Sequence, residues 1–140
     1  MDKIVLVDGV AGVLSTSVAQ DDEILKSSEF KNLPEISNGE RATVTIFERS
    51  FGGKIDEYEI VHVTQHDADS DKVTVERAQE GTEKRNWDSG SLWSHGLTSQ
   101  TLYDYIHQVL SSGFKMESED GTLWEVTVSN DGDLEVNDVD

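Results

Sequence analysis

The chain has 140 residues and a formal net charge of −18, from 29 Asp and Glu against 11 Lys and Arg. That balance argues against gripping nucleic-acid phosphates or an anionic membrane, and it suits a soluble surface, a cationic partner or bound cations. The absence of cysteine excludes disulfides and thiolate chemistry, and no apolar run reaches the ~18 residues of a membrane span.

The length fits one domain with room for a small appendage. "KIVLV", residues 3 to 7, is short and β-branched and predicts a strand rather than the core of a signal peptide. "DGVAG", residues 8 to 12, is turn chemistry, and residues 12 to 30 read as two extended pieces around Asp21-Asp22. Pro34 lies in a loop that ends at the turn dipeptide Asn38-Gly39.

Residues 41 to 49 alternate Ala42, Val44 and Ile46 against Thr43, Thr45 and Phe47. Gly52-Gly53 then marks a turn, and residues 55 to 65 return with Ile55, Glu57, Glu59, Val61 and Val63 on one side and Tyr58, Ile60, His62 and Thr64 on the other. After a polar turn at 66 to 71, "KVTVERA" predicts a third antiparallel strand over 72 to 78, and "SLWSH" a short one over 91 to 95.

The period then changes. Leu102, Tyr105, Ile106, Val109 and Leu110 follow helical spacing, which predicts a helix over about 98 to 111. Thr98 is its N-cap, Leu97 and Leu102 stand at staple positions, and Gly113 is a C′ residue. Residues 121 to 129 and 134 to 136 predict a terminal hairpin around "NDGD", within a tail that has nine carboxylates and no Lys or Arg from Glu117 onward. The fold class expected is mostly β: a small antiparallel sheet or partly closed barrel, one α-helix and a C-terminal hairpin. The expected division is residues 1–113, a β domain with loop and helix, and residues 114–140, hairpin and acidic tail.

Candidate chemistry is thin. His62 and His66 are four apart, but along a strand that separation spans ~13 Å, too far for one metal. "HDADSD" and "SNDGDLEVND" carry oxygen ligands, yet neither completes a twelve-residue calcium loop. No Gly-x-Ser-x-Gly elbow and no phosphate-cradling glycine loop is present. No catalytic residue, metal or cofactor is expected.

The densest polar stretch is "VTVERAQEGTEKRNWDSGSLW". Thr74, Val75, Arg77, Gln79, Glu80, Gly81, Thr82, Trp87 and Gly90 form a strand end, a glycine turn, an aromatic residue and a second glycine turn. The run resembles a signature of tailed-bacteriophage virion structural proteins, found in tail-fibre N-terminal attachment domains and in small head or tail accessory proteins. "DEYEIVHVT" and "GTLWEVTV" are similar to accompanying elements of that family.

The resemblance implies a non-enzymatic structural role in the virion, assembled in the host cytoplasm. Capsid, neck or tail proteins would be its partners, and the chain would form a homo-oligomer. A fibre would continue into a long shaft, so an attachment, adaptor or capsid decoration subunit is favoured over a receptor-binding one. A different reading is an acidic module that captures a cationic host protein.

Residue by residue, the fork of Arg77 is expected to pair with Glu80 and stiffen the loop. Gln79 would bond loop backbone, Gly81 would take positive φ, and Thr82 would bond a nearby amide. Trp87 and Trp93 would anchor the loop's far side. Trp93, Tyr103 and Trp124 are the candidate interface residues.

Overall fold

The computed structural model describes residues 2–49, 55–111 and 114–139, with backbone alone at Arg49, Ile55, Asp56, residues 109–111 and Phe114. The expected Gly52-Gly53 turn and Gly113 lie outside the described residues. The chain divides into two compact units, Met1–Thr101 and Leu102–Asp140. That division falls inside the helix.

The first unit is a curled, half-barrel sheet. Its strands are β1 (Lys3–Ile4), β2 (Ala11–Val13), β3 (Ile24–Lys26), β4 (Glu40–Arg49), β5 (Ile55–Gln65), β6 (Lys72–Gln79) and β7 (Leu92–His95). They run in the order β2-β7-β4-β5-β6-β3, with β1 parallel to the start of β4. The expected meander of three strands is its centre. The segment from 12 to 30, where only extended pieces were expected, holds most of β2 and all of β3 and runs into a short 3-10 helix, Ser28–Asn32.

Alternation explains the core. Ala42, Val44 and Ile46 of β4 stand opposite Val63, Val61 and Glu59 of β5, and directly opposed residues share a face. That face buries the aliphatic residues with Val73, Val75, Leu25, Phe30 and Trp93. Glu59 occupies the same row and is fully buried. On the reverse face, Thr43 of β4 stands opposite His62 of β5, and both are buried.

The pairing of β5 with β6 is broken by a bulge. Ile60 pairs with Gln79 and His62 with Glu76, so β6 carries one residue more than β5 between those points. Ala78 within the bulge has φ +54 and Glu80 just beyond it φ +56, both left-handed. A bulge of this kind re-aims the side chains beside it.

The second unit holds most of the helix α1 (Ser99–Ser111) and the strands β8 (Phe114–Glu117), β9 (Leu123–Val128) and β10 (Leu134–Asp138). The strands form an antiparallel sheet in the order β10-β9-β8, so the expected terminal hairpin gains a third strand. Thr98 caps α1, because its Oγ1 accepts the Thr101 N–H at 3.1 Å. The staple pair Leu97 and Leu102 is exposed at both residues.

Candidate functional site

The polar centre of the first unit is built on one pair. Alternation along β6 puts Arg77 on the core face with Val73 and Val75, opposite the buried Glu59. Nε of Arg77 donates to Glu59 Oε2 at 2.7 Å and Nη2 to Oε1 at 2.9 Å. The remaining guanidinium N–H groups go to backbone carbonyls: Nη1 to Ala19 at 2.7 Å and Asp22 at 2.9 Å, and Nη2 to Arg85 at 2.6 Å. The fork has five N–H donors, and every one is used.

Glu59 is equally saturated. Besides Arg77 it accepts the Ala78 N–H at 3.1 Å, the Arg85 N–H at 3.0 Å and the Trp87 indole Nε1–H at 3.0 Å. Burial pushes its carboxyl up, but the hydrogen bonds from Arg77, Trp87, Ala78 and Arg85 outweigh it and hold the group below the usual carboxylate range. The net effect is a carboxylate kept ionised beside the Arg77 guanidinium. A carboxylate held this way neither takes up nor releases a proton near neutral pH, and it is closed to solvent.

The hub therefore fastens four segments: β5, the β6 bulge, the loop through Arg85 to Trp87, and the loop from Ala19 to Asp22. Further bonds reinforce the last two. Val18 and Trp87 exchange backbone hydrogen bonds at 2.7 and 2.8 Å, and Asn86 Oδ1 accepts the Gln20 N–H at 2.9 Å.

The expected Arg77–Glu80 contact is not formed. Arg77 faces Glu59, whereas Glu80 meets His62, and Glu59 and His62 point to opposite faces of β5 because they are three residues apart. Glu80 Oε2 lies 2.9 Å from His62 Nε2, and Glu80 also accepts the hydroxyls of Thr98 and Thr101. Thr101 and Thr43 share a hydrogen bond of 2.7 Å. The acid expected to stiffen the loop instead ties the start of α1 to the reverse face of the sheet.

The other residues of the loop sit as follows. Gln79 Nε2 donates to the Arg77 carbonyl at 2.9 Å, and Gly81 has φ +84. Thr82 Oγ1 donates to the Gln79 carbonyl at 2.7 Å and accepts the Ile60 N–H at 3.1 Å. Trp87 is buried and anchors the loop through Glu59. Trp93 does not line an interface within this chain: it is 1% exposed, stacks against Phe30 at 4.5 Å and donates to Ser27 Oγ at 2.9 Å. β7 lies against the centre of β4, so a side chain on its inner face is core. Tyr103 is exposed beside His107, and Trp124 is half-buried with its Nε1–H on Ser118 Oγ at 3.1 Å.

In the acidic turn after β5, His66 is buried, with Nδ1 2.8 Å from the Pro34 carbonyl and Nε2 2.9 Å from that of Ser70. A surface depression of about 390 Å³ borders it, lined by Ile36, Asp67 and Lys72 among others. His95 donates through Nδ1 to the Thr43 carbonyl at 2.8 Å and accepts the Val7 N–H at Nε2. Among the described residues, no group of three or more His, Asp or Glu converges to hold a metal ion.

No protein-family model matches the chain, and no curated protein matches its sequence.

Proposed function

We propose that the chain is a non-enzymatic structural subunit of a bacteriophage virion, an attachment or adaptor piece that docks on the particle. The observation that carries this reading is the saturation of Arg77. The signature residue spends all five donors on Glu59 and three backbone carbonyls. Residues of the signature thus act as fasteners of loops, which suits a part whose product is a fixed shape. A loop ordered before binding lowers the entropic cost of association.

The charge of −18 favours, within that class, a position on the outer surface of the head or tail. A decoration subunit of the capsid is the second reading on this ground.

Mass spectrometry of purified particles, with copy number, is the test. A stoichiometric copy number matched by density that vanishes on deleting the gene supports the proposal. Particles that lack the chain, with unchanged density after deletion, overturn it.

A further inference from the structure

Among the described residues of the second unit, one face of the β8–β10 sheet carries exposed apolar side chains. Directly opposed residues of an antiparallel sheet share a face. The register sets Met116 opposite Trp124, Trp124 opposite Asp138, Val126 opposite Val136, and Val128 opposite Leu134. Six apolar side chains therefore line one side of this small sheet. The other side carries Lys115, Glu117, Glu125, Glu135 and Asn137. Four of the six are exposed, from 57% at Met116 to 73% at Leu134, while Trp124 and Val126 between them are half-buried.

Among the described residues from 102 to 139, none is buried. A unit of fewer than ~40 residues rarely supplies its own core, and contiguous exposed apolar surface marks an interaction site.

Charge selects the occupant. The turn between β8 and β9 carries Glu119 and Asp120, and the turn between β9 and β10 carries Asp131 and Asp133. These turns lie at opposite ends of the sheet, so both ends of the apolar face are acidic. Stacked sheets keep their strands within about 30° of each other. A second copy would therefore bring acidic ends over acidic ends whichever way its strands ran. Like charges juxtaposed across an interface disfavour that pairing.

We infer that the apolar face of the β8–β10 sheet docks on a partner protein surface with an aliphatic centre and a Lys- or Arg-rich border. This rests on the attachment reading only for the partner's being a virion protein; the face and its chemistry stand on the register, the exposure and the charge.

The probe is a synthetic strand peptide of alternating Val and Lys, titrated into the isotope-labelled full chain, with an alternating Val and Glu peptide as control. The Val/Lys peptide is expected to shift the amides of Met116, Trp124, Val126 and Val136, more weakly as salt is raised, and the Val/Glu peptide to leave them unmoved. Val136→Glu, a change at an exposed residue, should weaken the Val/Lys peptide by about tenfold or more. Asp131→Asn with Asp133→Asn should lower both its affinity and its salt dependence. Equal response to the two peptides, shifts confined to other residues, or salt-strengthened self-association through these same residues would each overturn the inference.

A second arm separates it from the attachment reading. Particles made without the chain are mixed with the wild-type protein or with Val136→Glu. If the wild type takes the Val/Lys peptide on this face but does not bind the particles, the attachment reading fails and the docking face stands. If both proteins bind the particles equally, the docking face fails and the attachment reading stands.

Discussion

Arg77 and Glu59 meet side by side across β6 and β5, at 2.7 and 2.9 Å, each in a row of the strand that otherwise points valines into the core. Neither has an unused hydrogen-bonding direction toward solvent. The pair is thus a fixed joint, and its removal should read out as stability and loop order.

Glu59→Gln leaves the Arg77 charge buried without its counter-ion. Breaking a buried pair from one side typically costs about 3–5 kcal/mol, so a large fall in the urea midpoint is expected. Arg77→Met should do the same from the other side. The double variant Glu59→Gln with Arg77→Met removes both charges, and it should be more stable than the sum of the singles implies. Additive losses in this cycle would show that the two side chains are not coupled.

Both partners of this joint were legible in the alternation, although their pairing was not. Glu59 falls in the row of Val61 and Val63, and Arg77 in the row of Val73 and Val75. A charged residue in each of two adjacent core-facing rows is a signal for a cross-strand pair. Sequence proximity pointed instead to Glu80, three residues from Arg77. Alternation along β6 decides between them by putting Arg77 on the core face with Glu59.

The strand meander and the Thr98 cap were readable because periodicity and capping are local. The core role of Trp93 was not, because it depends on β7 pairing with the centre of β4, a contact between distant parts of the chain. The same holds for the short strands β2 and β3, which are named by their partners more than by their own residues.

Ala78→Gly tests the bulge. An L-residue in the left-handed region costs roughly 1–2 kcal/mol, while glycine enters it freely. At φ +54 the substitution should stabilise the first unit by up to about 1 kcal/mol, because glycine's greater freedom in the unfolded chain offsets part of the gain. An unchanged or lower midpoint would mean that the strained geometry at Ala78 is not held in solution.

Thr98→Ala should act locally. It removes the acceptor of the Thr101 N–H and one donor to Glu80. Loss of a cap of this type costs about 0.5–2 kcal/mol. Amide exchange is expected to quicken at Thr101 and in the first turn of α1, with the strands of the first unit unaffected. Thr98→Ser, which keeps the hydroxyl, should restore most of the protection. Failure of serine to rescue would assign the effect to packing of the threonine methyl.

Acid should loosen the chain in a defined direction. Glu59 is held below its ordinary range, since its hydrogen bonds outweigh the upward push of burial. Glu29 and Glu40 are lowered as well, mainly by side-chain hydrogen bonds from Ser27 and Ser37. Asp120 is lowered from 3.8 to about 2, first by the Ser118 hydroxyl and then by the Thr122 N–H. A depressed carboxyl contributes stability that is fully present above its unfolded pKa and lost as pH falls through the folded one. Stability should therefore be flat with respect to these groups from neutrality to about pH 5 and decline below about pH 4, where unfolded Asp and Glu begin to bind protons. In Glu59→Gln the decline should be shallower, because that variant has no proton to take up at the hub. Asp120 is exposed, so its protonation should fray the turn at 118 to 122 without unfolding the first unit. Carboxyl-carbon NMR shifts followed against pH give each midpoint, and an ordinary midpoint for Glu59 would contradict the hub geometry.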